Sequence, residues 1–172
     1  KLIGSISRAV SLCESTLAFG KAEERAPVMA RVQLLPLVQE LVDGEGTTPG
    51  GLGTCLIDMA PTYQLRADPE QLYRVLSNLL RNARQAIEAT GKTGTIEISA
   101  TEDETDWLIR VGDTGPGLPA RARDNLFTAF QGGVRKGGTG LGLVICAELV
   151  RGHGGALELG RSGCLADALG SA

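Results

Sequence analysis

Apolar positions recur at helical spacing along much of this chain and alternate along one short part of it. Ile3, Ile6, Val10, Cys13, Leu17 and Gly20 lie three and four residues apart, widened by Leu2, Ala9 and Leu12. That heptad-like seam predicts a helix ending at Gly20 or within Lys21–Glu24. It fits an amphipathic helix packed on its own domain or a helix of a dimerising bundle. Pro27, inside Arg25–Arg31, marks the break after it. Leu35–Asp43 reads as a second helix with Pro36 in its first turn, Gly44–Gly53 as a loop, and Cys55–Met59 as a short strand stopped by Pro61.

The strongest helix signal begins at Asp68-Pro69-Glu70: an N-cap acid, proline at the first helical position and an acid in the first turn. The pattern continues to about Gly91, with Leu72, Val75, Leu76, Leu79, Leu80, Ala83 and Ile87 on one face. Asn78, Asn82 and Gln85 line up on a neighbouring stripe. Asparagine is a mediocre helix former, because its side chain competes for backbone hydrogen bonds. Two of them one turn apart make either a solvated polar face or a set of hard oxygen donors suited to Mg²⁺.

Alternation appears in Gly94–Thr101 and Asp106–Asp113, which predict two antiparallel strands joined by a turn at Glu102–Thr105. Asp113 closes the second strand and opens the glycine turn DTGPGLP. There it either caps its own turn or accepts a hydrogen bond from an exocyclic amine such as that of adenine. A second glycine cluster, GGTGLGL, precedes Leu143, Val144, Ile145, Leu149 and Val150 at helical spacing. A helix starting there offers unpaired N–H groups and its dipole to a phosphate. The dinucleotide-binding fingerprint is rejected, since that motif must follow a buried strand and Gln131–Gly137 reads as loop. His153, in the glycine cluster that ends this helix, reads as structural.

Composition narrows the chemistry. The chain has 172 residues, enough for one domain with an appendage, and 42% hydrophobic and 22% charged residues, as in soluble proteins. Aromatics at 3% and a net charge of −3 argue against nucleic acid and anionic membranes as partners. Four scattered cysteines and one histidine exclude the usual zinc spacings and predict reduced, intracellular thiols. No membrane-length apolar run or signal peptide is present, which predicts a cytoplasmic chain whose full-length protein could still be membrane-anchored. The start at Lys1, in mid-pattern, reads as a fragment.

The order NLLRNARQA, DTGPG, LFTAF, GGTGLGL and HGG resembles the ATP-binding catalytic domain of two-component sensor histidine kinases, over about Val32–Leu159. The joint order of these boxes is specific, although each alone is weak. The resemblance implies an α/β (α+β) two-layer sandwich: a mixed, largely antiparallel sheet with helices on one face and ATP under a lid. It implies that residues 1–24 are the second helix of a dimerisation and phosphoacceptor hairpin, 25–31 a linker and 32–172 the catalytic domain. By similarity Asn82 is the Mg²⁺ ligand and Asn78 its partner, and Asp113 reads adenine in a turn shaped by Gly115 and Gly117. Phe127 and Phe130 anchor the lid, and Gly138, Thr139, Gly140, Leu141 and Gly142 face the phosphates. The implied cofactors are ATP and Mg²⁺. The implied partners are a response regulator receiver domain and a second copy joined through the N-terminal helix.

Three departures from that family qualify the resemblance. Gln85 stands where the family often has lysine, which leaves phosphate charge to Mg²⁺ or to Arg135 and Lys136. GRSGCLADALGSA, after Leu159, lacks an apolar closing strand and predicts a sheet one strand short or a segment without regular structure. No phosphoacceptor histidine is present. Two alternatives stand beside this reading: a non-catalytic dimerising scaffold that binds nucleotide or relays phosphate, and an ATPase of the same superfamily. The latter carries glutamate where Asn78 stands, and an amide cannot be a general base for water.

Overall fold

The computed structural model describes residues 25–44, 53–118 and 141–160, and the backbone of 165–170. The predicted helix at Leu2–Gly20 and most of the predicted lid lie outside the described residues. The elements run β1 (Ala30–Gln33), α1 (Leu34–Gly44), β2 (Gly53–Asp58), β3 (Gln64–Ala67), α2 (Pro69–Glu88), β4 (Gly94–Glu102), β5 (Asp106–Asp113), α3 (Gly142–Gly152), β6 (Ala156–Leu159) and β7 (Leu165–Gly170).

Five strands form one sheet in the order β2-β4-β5-β7-β6. Only β2 and β4 are parallel; the other neighbours are antiparallel. Alternation decides which face is covered. Ile96, Ile98 and Ala100 on β4, Trp107, Ile109 and Val111 on β5 and Leu157 on β6 are buried, while Glu97, Thr101 and Arg110 between them are exposed. Against the buried residues lie Leu72, Val75, Leu76, Leu79, Leu80 and Ile87 of α2, Ile145, Leu149 and Val150 of α3, and Leu34, Val38 and Leu41 of α1. The mixed two-layer α+β architecture implied by the resemblance is the one observed.

The expectation of a sheet one strand short is wrong. Leu165–Gly170 is a strand inside the sheet, registered with Trp107, Ile109 and Val111 on one side and with Leu157 and Leu159 on the other. A strand of sequence LADALG has little β propensity of its own. Backbone pairing on both edges supplies what composition does not. A small second sheet also escaped the periodicity reading: β1 and β3 pair antiparallel, with Val32 opposite Leu65. Four-residue strands are too short for alternation to stand out.

Asp68 fastens these parts together. Its carboxylate caps α2 by accepting the N–H groups of Glu70 and Gln71 at 3.0 and 3.1 Å. It also accepts the Val28 N–H and the Arg25 guanidinium, both at 2.9 Å. Gln71 donates its side-chain amide to the Arg25 carbonyl at 2.7 Å, so residues 25–28 are seated on the first turn of α2. The backbone N–H of Asp68 donates to His153 Nε2 at 3.0 Å, and His153 Nδ1 lies 2.8 Å from the Leu149 carbonyl. Nε2 of this buried histidine therefore joins the end of α3 to the start of α2, while Nδ1 bonds back within α3, in the tautomer with the proton on Nδ1.

Candidate functional site

The described candidate residues lie along α2, which the start of α3 approaches at Asn78 and the turn after β5 approaches at Ala86. On α2 the apolar face turns Leu79 and Ala83 into the core, which leaves Asn78 and Asn82 half-buried at its margin and Gln85 exposed. The Asn78 carboxamide is oriented from both ends. Its nitrogen donates to the Arg74 carbonyl at 3.0 Å, one turn back, and its oxygen accepts the Arg81 guanidinium at 2.5 Å. Asn82 has no side-chain hydrogen bond among the described residues, so its carboxamide oxygen is available. In the sequence, the only signal for Arg81 is its place three residues after Asn78, where side chains on a helix meet.

Gly142 opens α3 opposite this stripe, and a Cβ placed on it would stand 3.5 Å from Asn78 Oδ1. Leu141, fully buried, anchors that start in the core and provides no side-chain cap for the first helical N–H groups. The helix is held along its length by Cys146, whose thiol reaches the Val75 carbonyl at 3.8 Å. The start of the helix is thus packed against α2 at Asn78, and Leu141 contributes no side-chain cap to it.

Asp113 is half-buried at the end of β5, where its backbone pairs with Ile96. Its Oδ1 accepts the Gly115 N–H at 2.7 Å, the turn-capping role weighed from sequence. Oδ2 has no hydrogen-bond partner among the described residues, which leaves one oxygen to accept from a ligand. Gly115 is required by this arrangement, since a Cβ there would lie 2.5 Å from Asp113 Oδ1 and 2.8 Å from the Ala86 methyl on α2. Gly117 adopts a φ of 69°, a conformation that side chains disfavour.

Gly142 is thereby brought to Asn78, and the Asp113–Gly115 turn to Ala86, both on α2. Gln85 lies on the same stripe but outermost. Phe127, Phe130, Arg135, Lys136, Gly138, Thr139 and Gly140 lie outside the described residues. Among the described residues no three His, Cys, Asp or Glu side chains cluster as a metal site, and no helix is long and apolar enough to cross a membrane.

The chain is similar to several known proteins. The sensory histidine kinase/phosphatase NtrB of Salmonella typhimurium is 42% identical over 103 residues, covering 55% of this chain and 29% of that protein. Sensor histidine kinase ZraS of Escherichia coli is 38% identical over 96 residues, covering 56% of this chain and 20% of that protein. The chain thus spans less than a third of the length of these curated relatives. Among solved structures, the nucleotide-free catalytic domain of histidine kinase ThkA matches with a TM-score of 0.70 and 26% identity, over 83% of this chain and 97% of that one. ThkA in complex with response regulator protein TrrA matches with a TM-score of 0.75 at 24% identity, over 99% of this chain and 49% of that one, a likeness of fold alone. Residues 67–166, from the strand before α2 into β7, match the model of the histidine kinase-, DNA gyrase B- and HSP90-like ATPase. With more than half of its length in that match, the chain belongs to this family, and the domain it folds into is an ATP-binding one.

Proposed function

We propose that this chain is the catalytic part of a two-component sensor histidine kinase. It binds ATP between α2, the Asp113 turn and the start of α3, and passes the γ-phosphoryl to a histidine on a dimerisation helix outside this chain. The reading rests above all on one observation: half-buried Asn78 of α2 meets the start of α3, its Oδ1 only 3.5 Å from the Cβ position of Gly142. Residues 1–24 are then part of the dimerisation hairpin, 25–31 the linker and 32–172 the catalytic domain. The cytoplasm is the proposed compartment. The downstream partner is the receiver aspartate of a response regulator, as the pairing of ThkA with TrrA supports.

Asp113 Oδ2 would take the adenine amine, and the first N–H groups of α3 would meet the phosphates. Phosphoryl transfer is mostly positioning and charge neutralisation, so a site with few acid–base side chains suits it. The donor set also fits Mg²⁺. The free, neutral carboxamide of Asn82 is a hard oxygen donor, and the lack of an acidic cluster among the described residues suits an ion held largely by phosphates. When bound, Mg²⁺ would neutralise phosphate charge, with Asn82 orienting it. A water-attacking ATPase is disfavoured by Asn78, whose amide nitrogen and oxygen are both committed and which is no base.

Calorimetry with a non-hydrolysable ATP analogue tests this reading. The wild-type chain should bind with an affinity that Mg²⁺ raises, and Asn82→Ala should abolish that Mg²⁺ dependence. In the full-length protein, labelled ATP should yield acid-labile phosphohistidine. Binding followed by release of inorganic phosphate alone would favour the ATPase, and no binding at all would favour the scaffold.

A further inference from the structure

The charge balance of the proposed site has a gap, because Gln85 is neutral and exposed where a cation would be useful. Phosphates need compensation, and the described stripe holds one basic side chain already aimed at its centre. Arg81 sits three residues beyond Asn78, and its Nη2 donates to Asn78 Oδ1. The same oxygen lies within van der Waals reach of the position a side chain on Gly142 would take. A guanidinium held at that oxygen is at the gap between α2 and the start of α3.

The bond also changes the reading of Asn78. An oxygen that accepts a guanidinium is a poor second ligand for Mg²⁺, since the two cations would repel each other. With the amide nitrogen tied to Arg74, Asn78 has nothing left to offer a metal. We propose that Arg81 is the cation that meets the nucleotide phosphates, and that Asn78 is a positioning residue that holds it there, so that Asn82 alone supplies the amide oxygen. A planar guanidinium carries several donors, so Arg81 can keep one N–H on Asn78 while others turn to phosphate oxygens. This inference rests on the ATP-binding reading.

Calorimetric titration with a non-hydrolysable ATP analogue and with adenosine, both in Mg²⁺, separates the possibilities. Arg81→Ala should weaken the analogue by about tenfold or more, as for loss of a charged hydrogen bond, and leave adenosine unchanged. Arg81→Lys should recover part of the loss, because the charge remains while the fork geometry does not. Asn78→Ala should shift analogue affinity in the same direction, and adding Arg81→Ala to it should cost less than in the wild type. Analogue binding by Arg81→Ala that equals wild type, or an equal loss for adenosine, overturns the assignment. Unchanged thermal midpoints separate these effects from unfolding, and Arg81 is exposed, so its removal leaves the core intact. A wild-type chain that binds adenosine but not the analogue sinks the inference. One that binds neither sinks the ATP reading beneath it.

Discussion

At the scale of single residues, the proposed site rests on polar atoms without a hydrogen-bond partner among the described residues. Asp113 spends one carboxylate oxygen on Gly115 and keeps the other. Asp113→Asn keeps size and turn geometry while exchanging a charged acceptor for a neutral amide. It should weaken ATP-analogue binding by about 1–3 kcal/mol, and an unchanged calorimetric affinity would remove Asp113 from the site. Asp113, Asn82 and the glycines could be proposed from the sequence because residue type and spacing carry their chemistry. Arg81 was not, because one more arginine on an exposed helix flank carries no signal until its partner is known. His153 was legible as structural, but its partners, Asp68 and Leu149, were not.

At the scale of elements, the start of α2 is the most constrained junction described. Burial pushes the Asp68 carboxyl up, but the N–H groups of Val28, Gln71 and Glu70 and the Arg25 guanidinium outweigh it and hold the group below its ordinary value. A depressed carboxyl contributes stability that is complete above the unfolded-state value of about 3.9 and is lost as pH falls through the lower folded-state value. Asp68→Asn should therefore lower unfolding free energy near neutral pH by about 1–3 kcal/mol. The difference from wild type should shrink as the pH falls below about 4. Denaturant unfolding at pH 7 and pH 3 checks both statements, and a pH-independent difference would mean that the charge of Asp68 is not what matters. The sequence showed Asp68 as the cap of α2 from Asp-Pro-Glu, a local pattern. That the same carboxylate seats residues 25–28 could not be read, since those partners lie 40 and 43 residues away.

At the scale of the molecule, β7 is the piece whose loss reaches furthest. It lies between β5 and β6, so every backbone contact of β6 with the rest of the sheet runs through it. A chain ending at Gly160 should lose cooperative thermal unfolding, or melt well below the full chain. Circular dichroism melts decide it, and equal midpoints would mean that the last strand adds nothing to the sheet.

The sequence by itself determined what local chemistry dictates: the cap and apolar face of α2, the β4–β5 hairpin, the glycine turns and the order of boxes that marks the family. Those signals arise between residues a few positions apart, where spacing alone sets geometry. Only the tertiary structure decided the rest. It inserted a weak strand, β7, where two neighbours satisfy its backbone. It paired β1 with β3, joined the end of α3 to α2 through His153, and brought Arg81 and Asn78 to the start of α3. Each of these is a meeting of distant segments, selected because buried polar groups must find partners and apolar faces must be covered.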